Sequence, residues 1–320
     1  MIECNNLRIS LDRKEPNSDV DFISHAHTDH VGAIKSSKNV LASAETISLI
    51  EQVYSITAQK RAESGGLRLI EAGHMLGSRQ LHLDNDASGI RTTYTGDFQI
   101  VRSKTSRPIE IIDTDILIMD STYADSSVRF DDKLEVESAI QDWTLSRLKR
   151  GIVLFSAYAM GKAQELIAIF NEVGIKPVVS KKIEKTAAVY VNSGIRLDYC
   201  SAYNPQSDYG AIVSDNFVGI TDSRNLAQLK SGLQSIHKRN VYTAVATGFA
   251  KSFRFNTDAQ FPLSDHADFQ QSIDYIEATH ARKILTYGPN APSFARNLGK
   301  SGYDSAPFGE SAISRPANNI

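Results

Sequence analysis

Cysteine is scarce in this 320-residue chain: Cys4 and Cys200 stand far apart and form no CxxC pair. That excludes a disulfide framework and a thiolate zinc knuckle, and it fits a reducing compartment. Long hydrophobic stretches are missing too. No run of about 18 apolar residues occurs, and the amino-terminal MIECNNLRISLDRKE has no apolar segment behind its charges. Secretion, a membrane span and a membrane partner are therefore not expected, and a cytoplasmic location is. The third absence is a surplus of one charge, since 35 Lys+Arg stand against 37 Asp+Glu for a formal −2. This balance gives no electrostatic reason to expect a nucleic-acid partner. Internal repeats and low-complexity blocks are lacking as well. What is present is an ordinary composition, 41% hydrophobic and 22% charged, long enough for one large domain or two smaller ones.

Short β-branched runs alternate with longer helical patterns, which predicts an α/β protein. Strands are expected at 7–11, 20–24, 67–71, 79–83 and 91–95, with a helix over 44–53 where Ile47, Ile50 and Val53 share a face. Gly, Asn, Asp and Ser fill the turns, so this block reads as stacked sheet rather than βαβ winding. From Asp115 the texture changes to regular alternation, with strands at 116–119, 152–155 and 177–179 and helices over 132–149 and 162–172. Ala163, Leu166, Ile167 and Phe170 recur at helical spacing and give that helix one face to bury on a parallel sheet. A third block from about Val241 has strands at 241–245 and 283–286 around a helix over 269–278, then a final helical stretch. The Ser-, Pro- and Asn-rich tail from Ser305 is expected to fray.

Histidine is where the chain departs from the ordinary. Three of its eight fall within His25, Ala26, His27, Thr28, Asp29, His30, directly after the strand at 20–24. Four potential ligands in six positions past a strand end can serve two centres roughly 3.5 Å apart, His25 and His27 facing one, Asp29 and His30 the other. Imidazole and carboxylate without thiolate suit zinc, with manganese or iron as alternatives. His74 lies in AGHMLGS, between glycines that let the backbone turn tightly, and Asp97 ends a strand in YTGD, placed to bridge two cations. Taken singly, such a His is more often a hydrogen-bonded loop residue and such an Asp a turn residue or helix cap. Their order after HAHTDH reverses that balance.

This order resembles the metallo-β-lactamase superfamily, and more narrowly its β-CASP nuclease branch, which includes cleavage-and-polyadenylation endonucleases, DNA cross-link repair nucleases and ligase-associated DNA exonucleases. Asp12, HAHTDH, His74 and Asp97 follow the family's motif order. Downstream, DSTY at 120–123 resembles its ESTY motif, SAYAMGKAQEL at 156–166 its FALGRAQEL helix start, and LSDHAD at 263–268 its second histidine motif. The likeness covers about residues 12–288. It implies an α/β (α+β) fold: a metallo-β-lactamase αββα sandwich from residues 1–122 and 243–320, with a shortened β-CASP-like domain inserted over 123–242. It implies one metal on His25, His27 and His74, a second on Asp29 and His30, and Asp97 bridging both, so two divalent ions, zinc or else manganese, are the cofactors. The implied activity is metal-dependent cleavage of phosphodiesters in RNA or DNA, as an exonuclease in RNA 3′-end processing or DNA repair. A hydroxide between the cations would attack phosphorus while His266, oriented by Asp120, protonates the leaving oxygen. Asp29, Asp97, Asp120 and His266 are then the catalytic set, and Asp12 steadies the histidine loop.

One departure bears on the second metal. Where RNA-processing members carry a further histidine, this chain has Tyr287 in ILTYGP, a weak neutral ligand or simple strand-end packing. DNA-cleaving members also lack that histidine. His82, His237 and His280 match no motif. Basic groups at Lys60-Arg61, Arg102 with Lys104 and Arg107, Lys181-Lys182 with Lys185, and Lys251 with Arg254 read mainly as solvated surface. Lys251 and Arg254 flank Phe253 and could grip phosphates beside a stacked base, and Lys162 at a helix start is a further candidate for substrate. Two other readings stay open: a small-molecule hydrolase on the same centre, and a catalytically silent nucleic-acid-binding subunit, suggested by Tyr287. The sequence leaves the number of copies open, a homo-oligomer included. Two divalent cations would turn the formal −2 into about +2, local to the metal cleft.

Overall fold

The structure is a computed structural model describing residues 1–309 apart from 35, 36, 38, 57–65, 86, 204–207 and 224. The Lys60-Arg61 group and the tail from 310 lie outside the described residues. The chain is a mixed α/β protein. Its elements begin with β1 (Ile2–Cys4), β2 (Leu7–Leu11), β3 (Val20–Phe22), β4 (Val40–Leu41), α1 (Ala44–Tyr54), β5 (Leu67–Glu71), β6 (Arg79–Asp84), β7 (Arg91–Tyr94) and β8 (Ile116–Asp120). Next come α2 (Lys133–Leu148), β9 (Ile152–Ser156), α3 (Lys162–Glu172), β10 (Val178–Val179), α4 (Lys181–Asn192), β11 (Cys200–Ser201), α5 (Tyr209–Val213), β12 (Val218–Thr221), α6 (Leu226–His237), β13 (Val241–Ala246) and β14 (Ala259–Phe261). The last are α7 (Phe269–Thr279), β15 (Lys283–Tyr287), α8 (Ala291–Lys300) and β16 (Asp304–Pro307). Two compact units result, one of residues 1–102, 106–129 and from His266 onward, the other of 103–105 and 130–265.

In the first unit a four-stranded sheet runs β1-β2-β3-β4 and a six-stranded one β16-β15-β8-β7-β6-β5. β8 shows how they are layered. Its Ile118 joins Ile9, Leu11, Val20 and Phe22 of the smaller sheet in one apolar cluster, whereas Leu117 and Met119 join Tyr275, Ile276, Phe294 and Leu298 of α7 and α8. Side chains alternate along a strand, so a strand buried on both faces reads as the unbroken apolar run ILIM. Burying each such side chain contributes about 1.5–3 kcal/mol. α7 starts at a capping box in which Asp268 accepts from Gln271 N–H while the Gln271 side chain accepts from Asp268 N–H, fixing the chain just after His266. The first residues of the tail expected to fray, 305–307, belong instead to β16, paired in parallel with β15.

The second unit is a parallel six-stranded sheet ordered β11-β10-β12-β9-β13-β14. Ala163, Leu166, Ile167 and Phe170 are fully buried in its core, as the helical spacing predicts. The expected return to the first domain at 243 is corrected: β13 pairs with β9, so this unit continues to Asp265. An apolar run such as VYTAVA suits a buried parallel strand in either unit, and only pairing decides which. Between 180 and 240 hydrophobic periodicity predicts no element, yet α4, β11, α5, β12 and α6 lie there; these are short or weakly apolar, with Leu226 the one buried residue of α6.

Candidate metal centre

The site grows from strand ends of the first unit. β3 leads through Ile23 and Ser24 into His25, which is fully buried, while His27 and His30 follow half-buried. His74 is delivered by a turn that needs glycine: Gly73 has φ +81°, and a Cβ there would stand 2.3 Å from the Gln99 carbonyl. Asp97 follows Gly96, where a Cβ would meet the Ser24 side chain at 2.5 Å. Asp120 ends β8, and His266 directly precedes α7 in the same unit.

One carboxylate oxygen is the hub. Asp97 Oδ2 lies 3.4 Å from His30 Nε2, 3.6 Å from His25 Nε2, and 3.9 Å from both His74 Nε2 and His266 Nε2. Potential ligand atoms of His25, His27, His74 and Asp97 all fall within 4.8 Å of one another, as do those of Asp97, Asp120 and His266. His74 Nε2 and His27 Nδ1 are 3.1 Å apart. Asp29 is less enclosed, its side chain 81% exposed and its Oδ2 3.7 Å from His30 Nε2. Tyr287 packs its ring on Tyr94 at 5.0 Å between centroids, and burial with the nearby acidic and phenolic groups pushes its phenol well above the ordinary range, so it stays neutral.

Hydrogen bonding sets which ring nitrogens face that hub. The Ser24 hydroxyl donates to Asp12 Oδ2 at 2.7 Å, so its oxygen accepts from His25 Nδ1 at 3.0 Å and the lone pair of His25 Nε2 is left facing Asp97. That buried Nε2 has no hydrogen-bond partner. His30 Nδ1 likewise donates to Asp12 Oδ2 at 2.8 Å, turning Nε2 toward Asp97 and Asp29. His266 Nδ1 donates to Asp120 Oδ2 at 3.0 Å. Acceptors converging on a carboxylate in a buried site are unfavourable without a cation between them, so the donor set fits divalent metal.

The titration shifts agree with that reading. Burial holds His25 well below the ordinary histidine value, and burial likewise pushes the Asp97 carboxyl up. Burial opposes protonation of His30 too, yet Asp97, Asp12 and Asp29 outweigh it and raise its pKa to about 10. A proton on His30 thus stands in for missing positive charge, a balance that bound cations invert.

Asp12 is named from the sequence, but several of the residues that act with it and with Asp120 and His266 escape sequence reasoning. Asp12, at φ +58°, accepts from Ser24 N–H at 2.6 Å and from Tyr94 OH at 2.7 Å besides His30 and the Ser24 hydroxyl. Thr122 donates from N–H and hydroxyl to Asp120 Oδ1 at 2.8 and 2.6 Å, and Gln99 Nε2 donates to the His266 carbonyl at 2.7 Å. Thr122 carries a usable signal, a hydroxyl two residues after an aspartate. Ser24, Tyr94 and Gln99 carry none, because their partners are set by folding.

Two of the expected substrate contacts are engaged elsewhere in the second unit. The buried Lys162 ammonium pairs with Asp265, since an ammonium out of water needs a counter-charge, and Lys251 Nζ lies 2.7 Å from Asp131. Arg254 is exposed. Outside the site, His82 is buried beside Thr93, His280 pairs with Asp113, and the His237 ring meets Phe217. Among the described residues no helix is long and apolar enough to cross a membrane.

No family model matches the chain. A probable DNA ligase of Opitutus terrae is 28% identical over 305 residues, 90% of this chain and 28% of the ligase. An uncharacterized protein in the lig 3′ region of Acidianus ambivalens is 31% identical over 135 residues, 42% of this chain and 92% of that protein. Endoribonuclease YSH1 of Candida glabrata is 26% identical over 157 residues, 48% of this chain and 20% of its own length. The chain therefore spans less than a third of the ligase and about a fifth of the endoribonuclease. A crystal structure of an Enterococcus faecalis protein of unknown function superposes with TM-score 0.63 at 13% identity, over 91% of this chain and 80% of that one, which speaks for the fold alone. Relatives that include endoribonucleases and an RNase J-like protein are β-CASP nucleases. With its motif order and its aspartate-centred histidine cluster, the chain resembles the β-CASP nucleases of the metallo-β-lactamase superfamily, to which these relatives belong.

Proposed function

We propose that this protein is a metal-dependent nuclease that hydrolyses phosphodiester bonds of RNA or DNA, on a first unit read as the αββα metallo-β-lactamase sandwich. The observation that carries it is Asp97 Oδ2, within 3.9 Å of ring nitrogens from His25, His30, His74 and His266. His25, His27 and His74 would hold one cation, Asp29 and His30 a second, with Asp97 shared. When bound, two divalent ions, zinc or manganese, activate water and neutralise charge growing on the phosphoryl oxygens. The protein's own groups do the rest. Asp12 and Ser24 fix the tautomers of His30 and His25. Asp120 holds His266 through Nδ1, so Nε2 can carry the proton that the departing oxygen takes, and the carboxylate supports the imidazolium until then. The likeness to a DNA ligase and to an endoribonuclease supports nucleic acid as the substrate and leaves both sugars in play.

The test is cleavage of matched 5′- and 3′-labelled DNA and RNA strands with zinc, manganese or chelator. Products formed with metal and suppressed by chelator are expected, and their ladders give polarity. Intact strands under every metal condition would overturn the reading. A silent binding subunit is the second reading, favoured by the neutral Tyr287 phenol. Two equivalents of zinc per chain with cleavage would exclude it.

A further inference from the structure

A turn in the second unit exposes a cluster of aromatic side chains. Between β13 and β14 the segment Phe249-Ala-Lys-Ser-Phe-Arg-Phe255 leaves Phe253 60% exposed, Phe249 38% and Phe255 37%. Single exposed apolar residues are commonplace, but three phenylalanines within seven positions form a patch of the sort that marks a binding surface. The turn is held firmly. Gln260 on β14 donates to the carbonyls of Ala250 at 2.7 Å and Phe253 at 3.0 Å and accepts from Phe255 N–H at 3.1 Å. Phe253 N–H closes back on the Phe249 carbonyl at 2.9 Å, with the two rings 6.0 Å apart and tilted by 55°. Rings fixed before binding lose little freedom when a ligand arrives.

Local charge says what the patch fits. The carboxylates bordering the turn are neutralised, Asp131 by Lys251 and Asp258 by Lys230 at 2.9 Å. Arg254, exposed between Phe253 and Phe255, has no carboxylate partner among the described residues. Flat aromatic faces interleaved with one uncompensated guanidinium complement unstacked bases joined by phosphate. A duplex offers phosphate but keeps its base faces covered.

We propose that Phe249, Phe253 and Phe255 with Arg254 form a stacking platform for single-stranded nucleic acid. This rests on the reading that nucleic acid is the substrate, and it narrows that class to single strands. Bases lie on the rings and one phosphate pairs with Arg254. The platform is a binding element separate from the metal ligands, so it works without metal.

The experiment uses the full chain in chelator, where nothing is cut, and reads anisotropy of a short fluorescent thymidine strand, an abasic strand of equal length and a duplex. Phe253→Ala weakens thymidine-strand binding about tenfold and F253A/F255A about a hundredfold, while abasic and duplex binding hardly change. Arg254→Ala makes the salt dependence shallower by about 0.7, the value for one single-strand phosphate. These side chains are exposed, so melting temperatures stay put and a folding defect is distinguishable. Equal binding by wild type and F253A/F255A overturns the proposal, as does a loss of the same size on the abasic strand, or no binding by the wild type. So does self-association that F253A abolishes, which assigns the patch to a second copy. Cleavage with metal is scored separately. Cutting with unchanged variant binding sinks only the platform, whereas no cutting with variant-sensitive binding sinks only the nuclease reading.

Discussion

The second unit and the histidine centre of the first handle charge in opposite ways. In the second, cations are matched to carboxylates within the same unit: Lys162 to Asp265, Lys133 to Glu165, Lys104 to Glu137 and Glu172, Lys251 to Asp131. At the centre of the first, buried imidazoles gather around the Asp97 carboxylate, and the lone pair of His25 Nε2 faces it without a hydrogen-bond partner. A matched set is complete as it stands and contributes structure; an unmatched buried set calls for charge from outside. On the proposed function, the difference assigns phosphate affinity to the centre around Asp97 and to the few cations left over, such as Arg254, rather than to the total of lysines and arginines. A net charge near zero would then be no guide to a nucleic-acid partner.

The sharpest way to break the comparison is to remove the hub. Asp97→Asn keeps the shape but withdraws the shared negative charge, so bound zinc should drop and cleavage should fall at least about a thousandfold. Metal content by mass spectrometry and labelled-strand cleavage check this, and unchanged cleavage would refute the assignment of Asp97. Asp120→Asn is the next largest. It leaves the metal content intact but removes the carboxylate behind His266, and cleavage should fall about a hundredfold. An activated diester with a nitrophenolate leaving group needs no proton, so its hydrolysis should lose far less. Equal losses on both substrates would mean that Asp120 does not act through proton donation.

A smaller effect separates buried pairing from surface pairing in the second unit. Lys162 and Asp265 have side chains only 6% and 14% exposed, whereas those of Lys251 and Asp131 are 30% and 51% exposed. Removing one partner of a buried pair leaves a stranded charge, so Lys162→Met should destabilise by about 3–5 kcal/mol. Lys251→Ala should lose about 0–1 kcal/mol. Urea unfolding measures both, and equal small losses would show that the Lys162 pair is solvated.

The centre was far more legible in the sequence than its surroundings. HAHTDH after a strand, a glycine-flanked His74 and a strand-ending Asp97 are local features, and local chemistry determines them. The tautomer control by Asp12 was visible only as a motif position, because its partners Ser24, Tyr94 and His30 converge through folding. Lys162 misled for the reverse reason: a lysine at a helix start looks available until Asp265, remote in sequence, neutralises it. The domain return at 243 failed because periodicity reports burial and not partner, and β13 found its partner in β9.

The smallest expected effect tests whether the first unit keeps neutral histidines outside the centre as well. His82 is fully buried on β6, Nδ1 2.9 Å from Thr93 Oγ1 and Nε2 3.3 Å from Asp84 Oδ1. Burial lowers its pKa below 6.5 despite Asp84 pulling the other way. Below 6.5 the unfolded chain therefore binds more protons at this position than the folded one, and stability falls as the pH drops from 6.5 toward the lowered value. His30 in metal-free protein has the opposite sign: its contribution is complete below 6.5 and is lost as the pH rises through about 10. Mild acid thus isolates histidines that are buried neutral. Comparing urea midpoints of metal-free wild type and His82→Gln at about pH 7 and about pH 5.5, the wild type should lose more, since glutamine can bond Thr93 without titrating. His25 shares the sign of His82 and stays in the variant, so the slope shrinks without vanishing; identical slopes would show that the His82 ring takes up its proton in the folded chain as readily as in the unfolded one.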